Sequence, residues 1–194
     1  MRTDSNLAGA DGDDMMVVRL TTKLAKKIGA RELESLPCDP NPFADWTAHL
    51  FTQSRRQYIL IANTHTLYSV VMRGSGLTSP SAFLAAMRDC LAEYLAYDEL
   101  NAAFDRLILP AMGTITYGKT LNRSVTGSMN DLVHLARCYM ADGDLSLMDV
   151  SSKLNEAPMS FLEYDSPGAA FGAIALGSSD LESGCAKSVK NPNG

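Results

Sequence analysis

Apolar positions recur along this chain with two different spacings. Leu84, Met87, Leu91, Tyr94 and Leu95 fall three and four residues apart, the stripe of a helix lying on a core. Residues 58–62 are instead an unbroken apolar run, the mark of a strand covered on both sides. Residues 66–72 make a second β-rich run after a turn-like 63–66, so the two predict an antiparallel hairpin over about 57–72. Further strands are predicted at 16–20 and 113–117. Helices are predicted at 21–28, with Lys23, Lys26 and Lys27 outward and Gly29 as stop, and at 79–97, opening on Ser79-Pro80. Helical spacing continues through 98–111 until Pro110 interrupts it, and a short helix is predicted at 145–154. Residues 30–45, with Pro37, Pro40 and Pro42, read as a turn-rich connection, Trp46 to Phe51 as an aromatic packing cluster, and 155–162 as an extended or turn segment over the core. The sum is an α+β fold: a single domain with a small mixed or antiparallel sheet packed against three to four helices. Residues 15–176 form the globular domain, with Met15 or Met16 as its start. Residues 1–14 read as a disordered leader and 177–194 as a flexible tail, and no internal repeat is visible.

The densest run is KTLNRSVTGSMND over 119–131. Its last four residues predict a helix start, with the Ser128 hydroxyl as cap and Asp131 three residues on. Leu132, Leu135, Ala136, Tyr139 and Met140 then supply the apolar face, and Gly143 the stop. A helix start offers unpaired N–H groups and partial positive charge, so it suits an anion. Lys119 and Arg123 lie just upstream, and Asn122, Ser124, Ser128 and Asn130 add short polar groups. Arg55 and Arg56 join this candidate binding site if their strand begins at the same edge of the sheet. The competing reading has Ser128 and Asp131 only capping the helix while Arg123 pairs with a surface acid.

Residues 113–120 match the phosphate-loop pattern GxxxxGK[ST] letter for letter. Thr, Ile, Thr and Tyr fill the variable positions, and these favour extended backbone and crowd a tight loop. No apolar strand ending in Asp follows to serve magnesium. The match reads as accidental and 113–117 as a strand.

The charge of −5 is uneven: −3 over 1–14, +3 over 15–124 and −5 over 125–194. The overall sign argues against strong non-specific nucleic-acid binding, and the central excess leaves room for a local anion site. No apolar run has the length of a membrane span. Cys38, Cys90, Cys138 and Cys185 are far apart and form no CxxC pair, so they read as reduced thiols in a cytoplasmic protein. No metal site or cofactor is indicated. His49, three residues after the single Trp, is the candidate catalytic base.

Several of these pieces together resemble a bacterial and archaeal family known only as a domain of unknown function. They are VRLTTKLAKK from Val18, Trp46 with Leu50-Phe51, Arg55-Arg56 with Tyr58, Asn63 with 66–70, the 119–131 run, and Leu154-Asn155 with Pro158 to Ser160. The resemblance covers about 15–166 and implies a shared fold, with no activity, substrate or cofactor attached. Three functions stay open: a binding domain for a phosphate- or carboxylate-bearing ligand or an acidic partner, a metal-independent enzyme on a phosphorylated or nucleic-acid substrate, and a structural or accessory protein.

Overall fold

The computed structural model describes residues 15–141 and 143–177. The predicted leader and all but the first residue of the predicted tail lie outside these described residues. The chain forms β1 (Met15–Leu20), α1 (Thr22–Ile28), β2 (Asp45–Gln53), β3 (Arg56–Asn63), β4 (Ser69–Arg73), α2 (Pro80–Tyr97) and a short α3 (Asn101–Ala103). Alpha3 runs on as a π-helical turn over Phe104–Ile108 and a 3-10 turn over Ala111–Gly113. β5 (Thr114–Lys119), α4 (Arg123–Tyr139), α5 (Leu147–Glu156) and α6 (Pro167–Ala175) complete the described fold.

The strands make one mixed sheet in the order β4-β3-β2-β1-β5. β1 runs parallel to both β2 and β5, while β2, β3 and β4 alternate antiparallel. This is the α+β domain with a mixed sheet, and the β3–β4 hairpin stands where the unbroken run 58–62 and the second β-rich run 66–72 put it. Alpha1, α2 and α6 cover one face, where Leu24, Phe83, Met87, Leu91 and Phe171 pack on Val18, Trp46, Ile59 and Val70. Alpha4 and α5 cover the other, where Val125, Met129, Leu132 and Val150 pack on Phe51, Tyr58, Leu60 and Val71.

The residues predicted as an aromatic cluster around Trp46 are in fact β2. The run Asp45-Trp46-Thr47-Ala48-His49-Leu50 alternates polar and apolar positions, a strand signal that the aromatic reading overlooks. Both faces of the sheet are covered, so the polar members are buried too except at His49, Asp45 against Arg19 and Thr47 against Thr64. The helix start predicted at Ser128 is also corrected. Alpha4 begins at Arg123, capped by Asn122, whose side chain accepts from the Val125 N–H at 2.9 Å. Ser128 lies inside the helix and its hydroxyl donates to the Ser124 carbonyl at 3.1 Å. The buried stripe starts about two turns earlier than predicted, at Val125 instead of Leu132, which draws the helix back with it. The capping box occurs instead at Ser146 and Asp149, the start of α5.

Alpha6 was not predicted. Ser166 caps it and Pro167 opens it, and it places Phe171 against Tyr68 at 4.6 Å and Trp46 at 6.1 Å between ring centroids. Cys90 and Cys138 are free, and burial pushes the Cys90 thiol up to about 12. Cys38 is disulfide-bonded, which departs from the expectation of four reduced thiols.

One edge of the sheet is closed by side chains. The Asn155 amide of α5 accepts from the Ser69 N–H at 2.7 Å and donates to the Ser69 carbonyl at 3.1 Å, as a neighbouring strand would. Ser151 accepts from the Val71 N–H at 2.9 Å, and the Tyr94 hydroxyl donates to the Val71 carbonyl at 3.0 Å. The outward backbone groups of β4 at Ser69 and Val71 are thereby paired inside the molecule.

Candidate functional site

The 113–120 match to a phosphate loop is a strand. Thr114 to Lys119 are paired in register with Met15 to Leu20, and no turn gathers N–H groups around an anion there. Gly118 sits beside Arg19 on β1: a β-carbon added at Gly118 would lie 3.3 Å from Val17 Cγ1 and 3.5 Å from Arg19 Cγ. The tight approach is to Val17, while the distances to Arg19 are those of ordinary van der Waals contact.

Arg19 and Asp45 are fully buried and form a bidentate pair, Nε–Oδ1 at 2.8 Å and Nη2–Oδ2 at 2.7 Å. The remaining guanidinium donors reach the carbonyls of Leu36 (3.1 Å), Pro37 (2.6 Å) and Lys119 (3.3 Å). One side chain thus ties β1, β2, the 30–44 connection and the end of β5 together. Glu34 adds to the tie: its N–H donates to Tyr117 and its carbonyl accepts from the Lys119 N–H at 2.8 Å.

The end of β5 is therefore a held point, and the predicted run leaves from it. Lys119 is the last residue of the strand, Asn122 the cap, and Arg123 and Ser124 open the helix, with Lys119, Arg123 and Ser124 exposed. Asn122 takes the Val125 N–H on its side chain and the Thr126 N–H on its carbonyl, so the N–H groups of Arg123 and Ser124 are the free ones at this start. Ser128 is buried, and Asn130 faces outward farther along the helix. Among the described residues the ion pairs are Arg19–Asp45 and Arg88–Asp89, so neither Lys119 nor Arg123 is paired with an acid.

The surroundings of this start have a defined topology. β1 and β5 are parallel neighbours ending side by side at Leu20 and Lys119. From β1 the chain leaves into α1 on one face, and from β5 into α4 on the other. In open sheets a crevice opens where outgoing connections diverge in this way.

His49 lies on the face covered by α4, beside Leu60 of β3. It is half-buried, and its Nδ1 is enclosed without a hydrogen-bond partner. Burial holds its pKa below the usual 6.5, and the positive charges of Arg137 and Lys23 press it down further. Extending the β1–β2 register by one residue from Leu20–Ala48 brings Thr21 next to His49, and the Thr21 hydroxyl is likewise buried and unpartnered.

Arg55 and Arg56 stand elsewhere. Ser54 and Arg55 form the tight turn between β2 and β3, both with positive φ (47° and 64°), as a type I′ hairpin requires. β2 runs five residues past the Ala48 row, so this tip lies about 17 Å beyond the ends of β1 and β5. A cavity of about 470 Å³ opens at the opposite edge of the sheet from β5, lined by Arg73, Glu93, Tyr94, Ser146 and Leu147 among others. None of the residues predicted for the site lines it. Among the described residues no group of three or more His, Cys, Asp or Glu could hold a metal ion, and no helix is long and apolar enough to cross a membrane.

These features define a mixed-sheet α+β domain with a cationic helix start at the carboxyl end of its parallel strands. The chain belongs to the family described as Domain of unknown function (DUF6933), whose model matches residues 17–170. That span closely follows the one drawn from the resemblance. No curated protein matches the chain.

Proposed function

We propose that this protein is a binding domain whose site, at the start of α4, takes a phosphate- or carboxylate-bearing ligand or partner. Lys119 and Arg123 supply the charge, the Arg123 and Ser124 N–H groups and the Ser124 hydroxyl supply donors, and Asn122 holds the helix start in shape. Ser128 fixes the first turn from inside through the Ser124 carbonyl, and Asn130 extends the surface offered to a larger partner. The observation that carries the reading is the exposed, unpaired Arg123 at the start of a 17-residue helix, with the exposed Lys119 four residues upstream at the end of β5, where the connections from two parallel strands leave toward opposite faces. Titration with inorganic phosphate, nucleotides and sugar phosphates, followed by calorimetry, tests it. A charge-assisted contact contributes about 1.5–3 kcal/mol, so Arg123→Ala should weaken a responding ligand roughly tenfold or more. A ligand whose affinity ignores both Arg123→Ala and Lys119→Ala sinks the reading.

A second reading draws on His49. Its lowered pKa keeps the imidazole neutral, and the enclosed Nδ1 lacks a partner, as suits a general base. In this reading Lys119 and Arg123 stabilise charge on a phosphoryl transition state. Hydrolysis of bis(p-nitrophenyl) phosphate that disappears in His49→Ala would favour it, and no turnover by the parent protein would count against it. In the third reading, a structural role, the bonds from Thr126 to Asn122 and from Ser128 to Ser124 serve only to hold the connection.

A further inference from the structure

Arg55 and Arg56 are joined at the hairpin end of the sheet by two arginines remote in sequence. Arg137, in the last turn of α4, has its guanidinium carbon 6.0 Å from the centre of the Phe51 ring. Phe51 stacks on its register partner Tyr58 at 5.6 Å, and Tyr58 in turn lies opposite Arg73 of β4. Arg56 precedes Tyr58 by two residues on the same side of β3, about 7 Å away. All four arginines are exposed, and none is ion-paired among the described residues.

Asp89 and Glu93 of α2 line the cavity that Arg73 also lines, and Asp89 is already held by Arg88 at 2.9 Å. Asp149 of α5 accepts from its own cap Ser146. Lys153, 5.8 Å from the Tyr139 ring, adds positive charge on the same helix.

We propose that this end of the sheet is a docking surface for a short acidic segment of a partner protein. Guanidinium groups pair with carboxylates in a two-pronged geometry, and the buried Phe51–Tyr58 stack gives them a fixed floor. That same stack is 1% and 8% exposed, so it offers no free ring face on which a nucleic-acid base could lie. From hairpin tip to Tyr58 the patch spans about 10 Å, the reach of three or four extended residues.

Fluorescence anisotropy with a labelled polyglutamate peptide, set against a labelled oligothymidylate of similar length, tests this surface. The peptide should bind in a salt-sensitive manner. Arg56→Ala and Arg137→Ala should each weaken it roughly three- to tenfold. Arg56→Glu with Arg137→Glu should abolish it, with circular dichroism confirming that each variant is folded. In an Arg123→Ala background, which removes the charge at the start of α4, the loss on Arg56→Glu with Arg137→Glu should persist, which separates this surface from that site. Absence of peptide binding, indifference to the Arg56 and Arg137 changes, or equal affinity for the oligothymidylate would overturn the proposal.

Discussion

Replacing Arg19 by Met should be among the most damaging single changes available in this chain. Both Arg19 and Asp45 are 0% exposed, so the substitution leaves a carboxylate with no cation and no water. It also strips the carbonyls of Leu36, Pro37 and Lys119 of a donor. Removing one partner of a buried pair costs about 3–5 kcal/mol, against a total stability of about 5–15 kcal/mol for a domain. Urea unfolding followed by tryptophan fluorescence is a direct assay, because Trp46 lies one residue from Asp45 and is wholly buried. The midpoint should fall by about half while the slope stays constant. The double variant Arg19→Met with Asp45→Leu should recover part of the loss, since no charge is then stranded. It should not recover all of it, because the three carbonyls and the Asp39 N–H that reached Asp45 at 3.0 Å remain without partners. A loss below about 1 kcal/mol for Arg19→Met, or a double variant as unstable as the two single losses added together, would refute the claim that this pair pins the connection to the sheet.

Other changes probe separate links. Asn155→Ala removes both bonds to Ser69 and should cost about 2 kcal/mol, with light scattering on mild heating as the β4 edge opens; an unchanged melt would deny the edge-closing role. Asn122→Ala should cost about 1 kcal/mol as a lost cap, and Ser128→Ala, a mid-helix hydroxyl, clearly less; the reverse order would restore Ser128 as the start. His49 has a folded pKa below 6.5, so the unfolded chain binds the proton more readily. Its contribution to stability is complete above 6.5 and declines as pH falls from there toward the folded value. His49→Gln should flatten that part of the melting-temperature profile, and an unaltered slope would sink the assignment.

The helices with one wet face were legible because their patterns survive in sequence: α1 with its Gly29 stop and α2 with Ser79-Pro80 lie where periodicity puts them. β2 and α6 were not read, for different reasons. β2 does alternate over Asp45–Leu50, but the single Trp and its neighbouring Phe51 point equally to an aromatic cluster. Alpha6 is nine residues of mostly small apolar side chains with only Pro167, Ala170 and Phe171 buried, so no polar face sets off a stripe. Alpha6 did leave a local signal, since Ser166-Pro167 repeats the Ser79-Pro80 opening of α2. For α4 the run 119–131 marked the right connection but the wrong cap: Asn122 and Ser128 are both good capping residues, and only the buried side chain of Val125 decides between them. The approach of Arg137 to Phe51 had no sequence signal, because it depends on α4 crossing the sheet from the end of β5.

The accidental phosphate-loop match and the candidate site share a physical origin. The last residues of β5 pass beside the buried Arg19, and Gly118 avoids the tight 3.3 Å approach to Val17 Cγ1 that a β-carbon would make there. The next residue, Lys119, has its backbone taken on both sides, by Glu34 and by Arg19, so its side chain is left to face solvent. Gly-Lys at a strand end thus follows from how the sheet is anchored and carries no implication of a nucleotide. The same anchoring sets the position of the α4 start to which Lys119 leads. A change at Arg19 that loosens the end of β5 should therefore weaken any anion held there, in proportion to the stability lost, even though Arg19 itself is buried and cannot touch the ligand. Binding that survives Arg19→Met intact, in protein still folded, would show that the helix start holds its shape without the anchor beneath it.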